Sequence, residues 1–505
     1  MEHITGVIDG YIWSIPLVAL ALCAGLYFSV RMGFPQIRRF KDMMHYLIKG
    51  SDSKEGISSF QGFAMALGGR IGVGNIAGVA TAICFGGPGA IFWMWMIAFI
   101  GAGSAFAESS LAQVYKSKLN GEYRGGPAYY IEKGLGSPVF AIIFAVVAVI
   151  ANGFTGPTIQ AFNIADATKN AFGWNPAIVG VVVAILFALV VFGGMKRIGK
   201  FAEYVVPVMA IAYIIIALVV MFVNYNQIGK MFGLIFSCAF NMNAFYGAVF
   251  GNAIMWGVKR GIYSNEAGMG SGAHAAAAAE VSHPAKQGLA QAFSVYVDTL
   301  LVCTATAIMI LSTGMYNVTD PSGKFMVENL PGVSEGVGYT QAAIDSFIPG
   351  LGSAFIAIAV FFFAFTTLLS FAFYTDANVS YIVKNMKDEK KRRMVVNVIL
   401  GILTVIILFG SMRTAGTAWN FADIGVGLMA WTNFIAIVLL SPKVFAIYKD
   451  YERQRKLGLD PVFEPEDCGI TNADLWDDIV TEKYSDLRDA KWKAEGKTKA
   501  ADKEA

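Results

Sequence analysis

From Tyr11 to about Leu440 the chain is a succession of long apolar windows separated by short polar or basic breaks. Each window runs roughly 18 to 25 residues, the length a helix needs to cross about 30 Å of hydrocarbon, and about eleven follow one another. The pattern predicts an all-α polytopic membrane protein whose solvent is the bilayer, because a membrane-spanning segment must satisfy its own backbone groups. The first window is preceded by Glu2 and Asp9 rather than by basic residues, and no Ala-x-Ala site follows it. It is expected to be a retained helix and not a signal peptide.

Charge sets the orientation. Arg31, Arg38, Arg39 and Lys41, then Lys116, Lys118 and Arg124, then Lys196, Arg197 and Lys200, then Lys384 to Arg393 fall in alternate loops. The positive-inside rule makes those loops cytoplasmic. The long segment from Met315 to Pro349 carries Asp320, Glu328, Glu335 and Asp345 against Lys324 and is expected outside. An odd number of spans then puts the amino terminus outside and the carboxyl terminus in the cytoplasm, with residues 448–505 as a solvated, charged tail.

Glycine and polar residues interrupt the apolar windows at two places, Gly68 to Gly78 and Ser264 to Gly272. With residues 1–56 taken as a leading helix and link, the interruptions fall in the first helix of each of two five-helix sets, 57–224 and 244–412. Residues 225–243 form an outer connection and 413–447 a final helix. Five is odd, so the second set enters the membrane from the opposite side. The expectation is a 5+5 inverted repeat with broken first and sixth repeat helices and a midplane site between them. An unwound stretch in hydrocarbon persists only where a cavity or ligand satisfies its amides and carbonyls. Glycine allows close approach, helix N-termini suit a carboxylate, and freed carbonyls suit a hard cation. Close glycine packing between helices is the alternative use of the same residues.

Composition narrows the classes further. Of 505 residues 56% are hydrophobic and 15% charged, and a net charge of +3 is too small and dispersed for nucleic acid. The five cysteines make no CxxC pair and the four histidines no metal cluster, so neither disulfides, a metal cofactor nor a partner protein is implied. No nucleophile–base pair or HExxH motif suggests an enzyme, and no filter repeat suggests a channel.

Several stretches together resemble the alanine or glycine:cation symporter family, within the larger group that shares the fold of the bacterial leucine transporter. They are Gly72-Val73-Gly74-Asn75 and its continuation to Ile83, Gly125 to Gly136, Arg260 to Ser271, Asp298 to Ala307, and Phe363 to Leu369. The resemblance implies a symporter of a prokaryotic inner membrane that carries sodium with a small neutral amino acid. By that likeness the amides of Val73 and Gly74 bind the substrate carboxylate with Asn75 beside it. The carbonyls of Gly68 and Ile71 and the hydroxyls of Thr366 and Thr367 hold sodium. Gln160, Asn265 and Glu266 are expected around the ammonium and side chain. Arg70 stands where a small residue is usual and is expected to replace a second cation or to pair with Glu266 or Asp298. Phe371 stands where the family has tryptophan, which admits a larger substrate. Glu108, Asp166, Asp376 and Asp423 read as structural acids, and His274 as a hydrogen-bonded packing residue. A proton-coupled permease is the nearest rival; it would carry a lysine in the middle of the fifth repeat helix, and Val205 to Val223 has none.

Overall fold

The computed structural model describes residues 2–48, 55–119 and 121–496. Among the described residues seven helices are each long and apolar enough to cross a membrane: Ala90–Val114, Pro138–Phe172, Met195–Val223, Pro284–Thr313, Leu351–Ile382, Glu389–Ser411 and Ala415–Leu439. Glu2–Ile12 and Ile15–Arg31, bent by 43° at their junction, make an eighth if taken as one span. Ala77–Gly86 and Pro176–Val191 are shorter apolar helices.

Proline at the first turn starts many of them, at Pro138, Pro176 and Pro284, where a missing N–H removes nothing the helix needs. Burial divides them by role. Met195–Val223 turns Tyr204, Val208, Ile211 and Phe222 outward, as a lipid-facing helix must. Ala90–Val114 is buried almost throughout and carries the small run Gly101-Ala102-Gly103-Ser104-Ala105, which lets neighbouring backbones approach closely.

Cross-chain contacts gather the basic loops at one face. Arg39 pairs with Glu452, Lys118 with Glu55, Arg124 with Asp376, and Lys384 with Glu132. The acidic segment caps the other face, where the Tyr339 hydroxyl donates to Cys84 Sγ at 3.6 Å.

Three local expectations change. Two small antiparallel sheets interrupt the helical pattern, Ser117–Leu119 with Glu122–Arg124 and Asn317–Thr319 with Phe325–Glu328. The connection after residue 224 is itself a helix, Tyr225–Ala239. The segment after the last span is not a solvated tail. Ser441–Lys456 and Trp476–Lys483 are helices, and Tyr451, Val462, Phe463 and Trp476 are fully buried against the basic face. Its apolar residues are too widely spaced among charges for a hydropathy window to register them.

Candidate functional site

The first interruption begins where the helix Ser59–Arg70, started by a Ser58–Gln61 capping box, ends. Gly72 is extended, Val73–Asn75 make one tight turn, and the helix resumes at Ala77–Gly86. Asn75 builds this turn: its Oδ1 accepts from the Gly72 amide at 2.9 Å, and its carbonyl accepts from Thr306 Oγ1 at 2.6 Å. Glycine is required at 72 because a Cβ there would collide with the Thr367 hydroxyl and lie 3.3 Å from Gln160 Oε1.

The second interruption ends the helix Phe250–Asn265 at Glu266, whose φ of 54° is left-handed, followed by Gly268 at 80° and Gly270 at 93°. A non-glycine residue in that region costs roughly 1 kcal/mol or more, which the surroundings must offset. They do so through Glu108, whose Oε2 accepts from the Gly270 amide at 3.0 Å and from Asn433 Nδ2 at 2.8 Å. Asn433 Nδ2 also donates to the Gly268 carbonyl at 2.9 Å, and Tyr130 donates to Asn433 Oδ1.

Asp298 joins the two interruptions. It is fully buried in a π-helical stretch, Val297–Cys303, of a kind often found at functional positions. Its carboxylate accepts from Asn75 Nδ2 at 2.7 Å, from Ser264 Oγ at 3.0 Å and from Thr299 Oγ1 at 2.7 Å. Among the described residues it makes no ion pair, and the partners of its carboxyl group are the neutral side chains of Asn75, Ser264 and Thr299. Ionised, this carboxylate would draw a cation to the junction.

The structure brings together part of the set expected from sequence. The Thr367 hydroxyl lies 3.0 Å from the Gly68 carbonyl and 3.5 Å from that of Ile71, so one side-chain and two freed main-chain oxygens converge. Gln160 Oε1 accepts from the Val73 amide at 3.2 Å. Gly74 packs against Tyr263 and Ser264, where a Cβ would come within 3.1 Å of each. Phe371, one turn beyond Thr367, lies over Gly156, one turn before Gln160.

Other members are placed elsewhere. Thr366 turns its hydroxyl back to the carbonyls of Phe362 and Phe363, at 3.1 and 2.9 Å, and not to Gly68 or Ile71. The Asn75 side chain is consumed by Gly72 and Asp298. Asn265 is spent on the second interruption: its Oδ1 caps the Ala267 amide at 3.0 Å and its Nδ2 donates to Thr299 at 3.2 Å. Glu266 is buried on the Arg70 side of the site. Arg70 forms no ion pair with Glu266 or Asp298; it donates to the Asn265 carbonyl at 2.6 Å, to Gln291 Oε1 at 2.8 Å and to Ser294 Oγ. It therefore ties the two interruptions to the helix Pro284–Thr313. His274 bonds the Ser271 carbonyl and Asn378, at 2.9 and 2.8 Å, as a packing residue does.

Both ends of this region are covered. On the acidic-loop side a cavity of about 530 Å³, lined in part by Asn163, Asp166, Glu335 and Gln341, ends on Trp419. Arg260 stacks 4.0 Å from the Trp419 ring centroid and makes a two-pronged pair with Asp423 at 2.7 and 3.0 Å. On the basic side the ends of the two interrupted helices are zipped together: Ile57 N donates to the Ala278 carbonyl and Glu280 N to the Ile57 carbonyl, both at 3.0 Å.

Sequence reasoning left Asp298 undecided and treated Glu108 as structural in the ordinary sense. The available signal was an acid in an otherwise uncharged membrane window; neither the π-helical stretch nor the partner Asn433 is visible in a pattern.

Comparison with known proteins gives three findings. The family described as the sodium:alanine symporter family matches residues 1–465. A sodium/proton-dependent alanine carrier protein of Bacillus sp. (strain PS3) is 46% identical over 86% of this chain and 97% of its own, and a Bacillus subtilis (strain 168) protein named a probable sodium/glutamine symporter is 43% identical over 92% and 93%. The crystal structure of MhsT in complex with L-phenylalanine is alike over 86% of this chain and 97% of that one, with a TM-score of 0.52 at 14% identity, a likeness of fold alone.

Proposed function

Since the chain belongs to the sodium:alanine symporter family of membrane transporters, we propose that it couples sodium entry to uptake of a small neutral amino acid, alanine or glycine, by alternating access. The observation that carries this reading is the convergence of the Thr367 hydroxyl on the Gly68 and Ile71 carbonyls. Three oxygens without formal charge suit sodium, a hard cation that takes oxygen ligands, and need no acid to titrate. Immediately beyond them, the Val73 amide and the glycines on either side of it form the natural seat for a carboxylate. Gln160 now caps that amide and would yield it to the substrate.

Asp298 supplies the counter-charge for the substrate ammonium or a second sodium. Glu108, Asn75, Asn265, Arg70 and Asn433 hold the two interruptions open. Phe371, packed on Gly156, walls the side-chain end of the proposed substrate seat.

The same reading extends to topology. The eight apolar spans, the two interrupted helices and Pro176–Val191 give eleven crossings, one leading helix and a 5+5 inverted repeat whose second set takes Ala415–Leu439 as its fifth crossing, so the helix expected separately at 413–447 belongs to that set. The first interrupted helix runs from the basic face outward and the second runs back to it, as inversion requires. The basic face is cytoplasmic, the amino terminus is outside, and the membrane is the prokaryotic inner membrane. Reciprocity follows: sodium that orders the interruptions and tightens substrate by a coupling of about 1 to 3 kcal/mol is itself tightened by the same factor.

The Bacillus subtilis relative named for glutamine favours a second reading, a larger neutral amino acid as substrate. The words sodium/proton in the name of the other relative keep a proton gradient in the test. Uptake of labelled amino acids into proteoliposomes under imposed sodium or proton gradients decides among these readings.

A further inference from the structure

Alternating access requires the two half-helices on the basic face, Ser59–Arg70 and Gly272–Ala278, to part. Their own seam consists of two backbone hydrogen bonds between Ile57 and the Ala278–Glu280 segment, the packing of Gly62 on Ala275 and Ala279, and the Arg70 guanidinium against Gly272. A second element lies across it. Lys483 Nζ donates to Glu55 Oε2 at 2.8 Å and to Glu280 Oε2 at 2.7 Å, one ammonium bridging an acid on each side of the seam. The hydrogen bond from Lys483, against the opposing effect of burial, holds Glu55 down to about 2, so this carboxylate is ionised at neutral pH.

Two further contacts tie the same segment to the second half-helix. Trp476, fully buried, donates its indole N–H to the Gln113 carbonyl at 3.1 Å. Gln113 Nε2 in turn donates to the Ala276 carbonyl and, at 2.7 Å, to that of Ala279, at the C-terminal end of Gly272–Ala278 and just past it. Upstream, Phe463 N donates to the Ser282 carbonyl at 2.9 Å and Ser282 Oγ to the Pro461 carbonyl at 2.7 Å. Trp476 and Lys483 lie beyond residue 465, where the family match ends. The strap is thus anchored on both sides of that limit, by Pro461 and Phe463 within it and by Trp476 and Lys483 beyond it.

We propose that residues 461–483 act as a built-in brake on opening toward the basic face, released when Lys483 and Trp476 leave the seam. This rests on the alternating-access reading above. The brake works because no conformation with Glu55 and Glu280 apart can keep both on one ammonium. An exposed-to-half-buried bridge of this kind shifts an equilibrium by about five-fold when lost.

The test uses the full chain in proteoliposomes with Lys483→Ala, Trp476→Ala and Lys483→Arg. Backbone hydrogen–deuterium exchange of peptides covering residues 55–60 and 278–284 reports the seam, and exchange of labelled alanine across the membrane at equal sodium reports the brake. The expected result is about five-fold faster hydrogen exchange at the seam and faster alanine exchange in Lys483→Ala and Trp476→Ala, with Lys483→Arg close to the parent. Faster seam exchange with unchanged or slower alanine exchange would reduce the strap to structural cover and overturn the proposal; so would unchanged seam exchange in both alanine variants. Parent protein that exchanges no amino acid under any gradient would instead overturn the functional reading, and the brake with it.

Discussion

Replacing Thr367 by valine keeps the branched side chain and removes one oxygen from the point where the Gly68 and Ile71 carbonyls converge. The hydroxyl sits 3.0 Å from the first carbonyl, 3.5 Å from the second and 3.0 Å from the Phe363 carbonyl of its own helix. Valine leaves two buried carbonyls without that neighbour and removes a third of the oxygens proposed for sodium. Loss of one such contact in a dry site amounts to about 1 to 3 kcal/mol, or roughly 5- to 150-fold in sodium half-saturation. Initial uptake rates measured against sodium at saturating alanine should show that increase, while substrate affinity extrapolated to saturating sodium changes by much less. Thr367→Ser restores the oxygen and should return half-saturation to within about three-fold of the parent. Thr366→Val is the internal control, because its hydroxyl is spent on its own helix, and it should shift sodium dependence by less than about two-fold. A Thr367→Val protein with the parent's sodium dependence, or a Thr366→Val protein with the larger defect, would refute the assignment.

Three other outcomes follow from particular contacts. Asp298→Asn replaces one of two carboxylate oxygens, which between them accept from Asn75, Ser264 and Thr299, by a donor facing groups that now donate; uptake should fall by about 30-fold or more, and a loss under three-fold would show that no cation depends on this charge. Phe371→Ala empties the space over Gly156, so inhibition of alanine uptake by glutamine or leucine should strengthen by about 10-fold; an unchanged ratio would remove Phe371 from the pocket. Lys116, just past the end of Ala90–Val114, is pushed down to about 7 by burial, against the pull of Glu280. A lysine depressed in the folded state binds fewer protons than the unfolded chain between about pH 7 and 10.5, so stability rises with pH across that window. Thermal unfolding in detergent should show this rise in the parent and a flatter profile in Lys116→Met; parallel profiles would contradict it.

What could be read from sequence was whatever leaves a mark on composition. The apolar windows and the two glycine-rich interruptions did, and so did the alternation of basic loops, which the cross-chain ion pairs gather at one face. The meeting of Thr367 with Gly68 and Ile71 was anticipated from the family likeness, because the motif fixes backbone geometry on one helix and a single residue on another. Thr366 shows where that reasoning stops. Two adjacent threonines on a helix point about 100° apart, and only the three-dimensional packing decides which one reaches a neighbour. Arg70 shows the same limit for charge: sequence suggested acids as its partners, whereas the fold offered a carbonyl, an amide oxygen and a hydroxyl. The docked segment after residue 456 was invisible because single aromatic residues such as Phe463 and Trp476, set among charges, anchor a chain without any periodic pattern.

The most direct test of the central claim is uptake of labelled alanine, glycine and larger neutral amino acids by the purified protein in proteoliposomes, with an inward sodium gradient, an inward proton gradient or neither. Accumulation of alanine or glycine driven by sodium is the predicted result. Accumulation driven by protons alone, or no response to sodium for any neutral amino acid, would contradict the account.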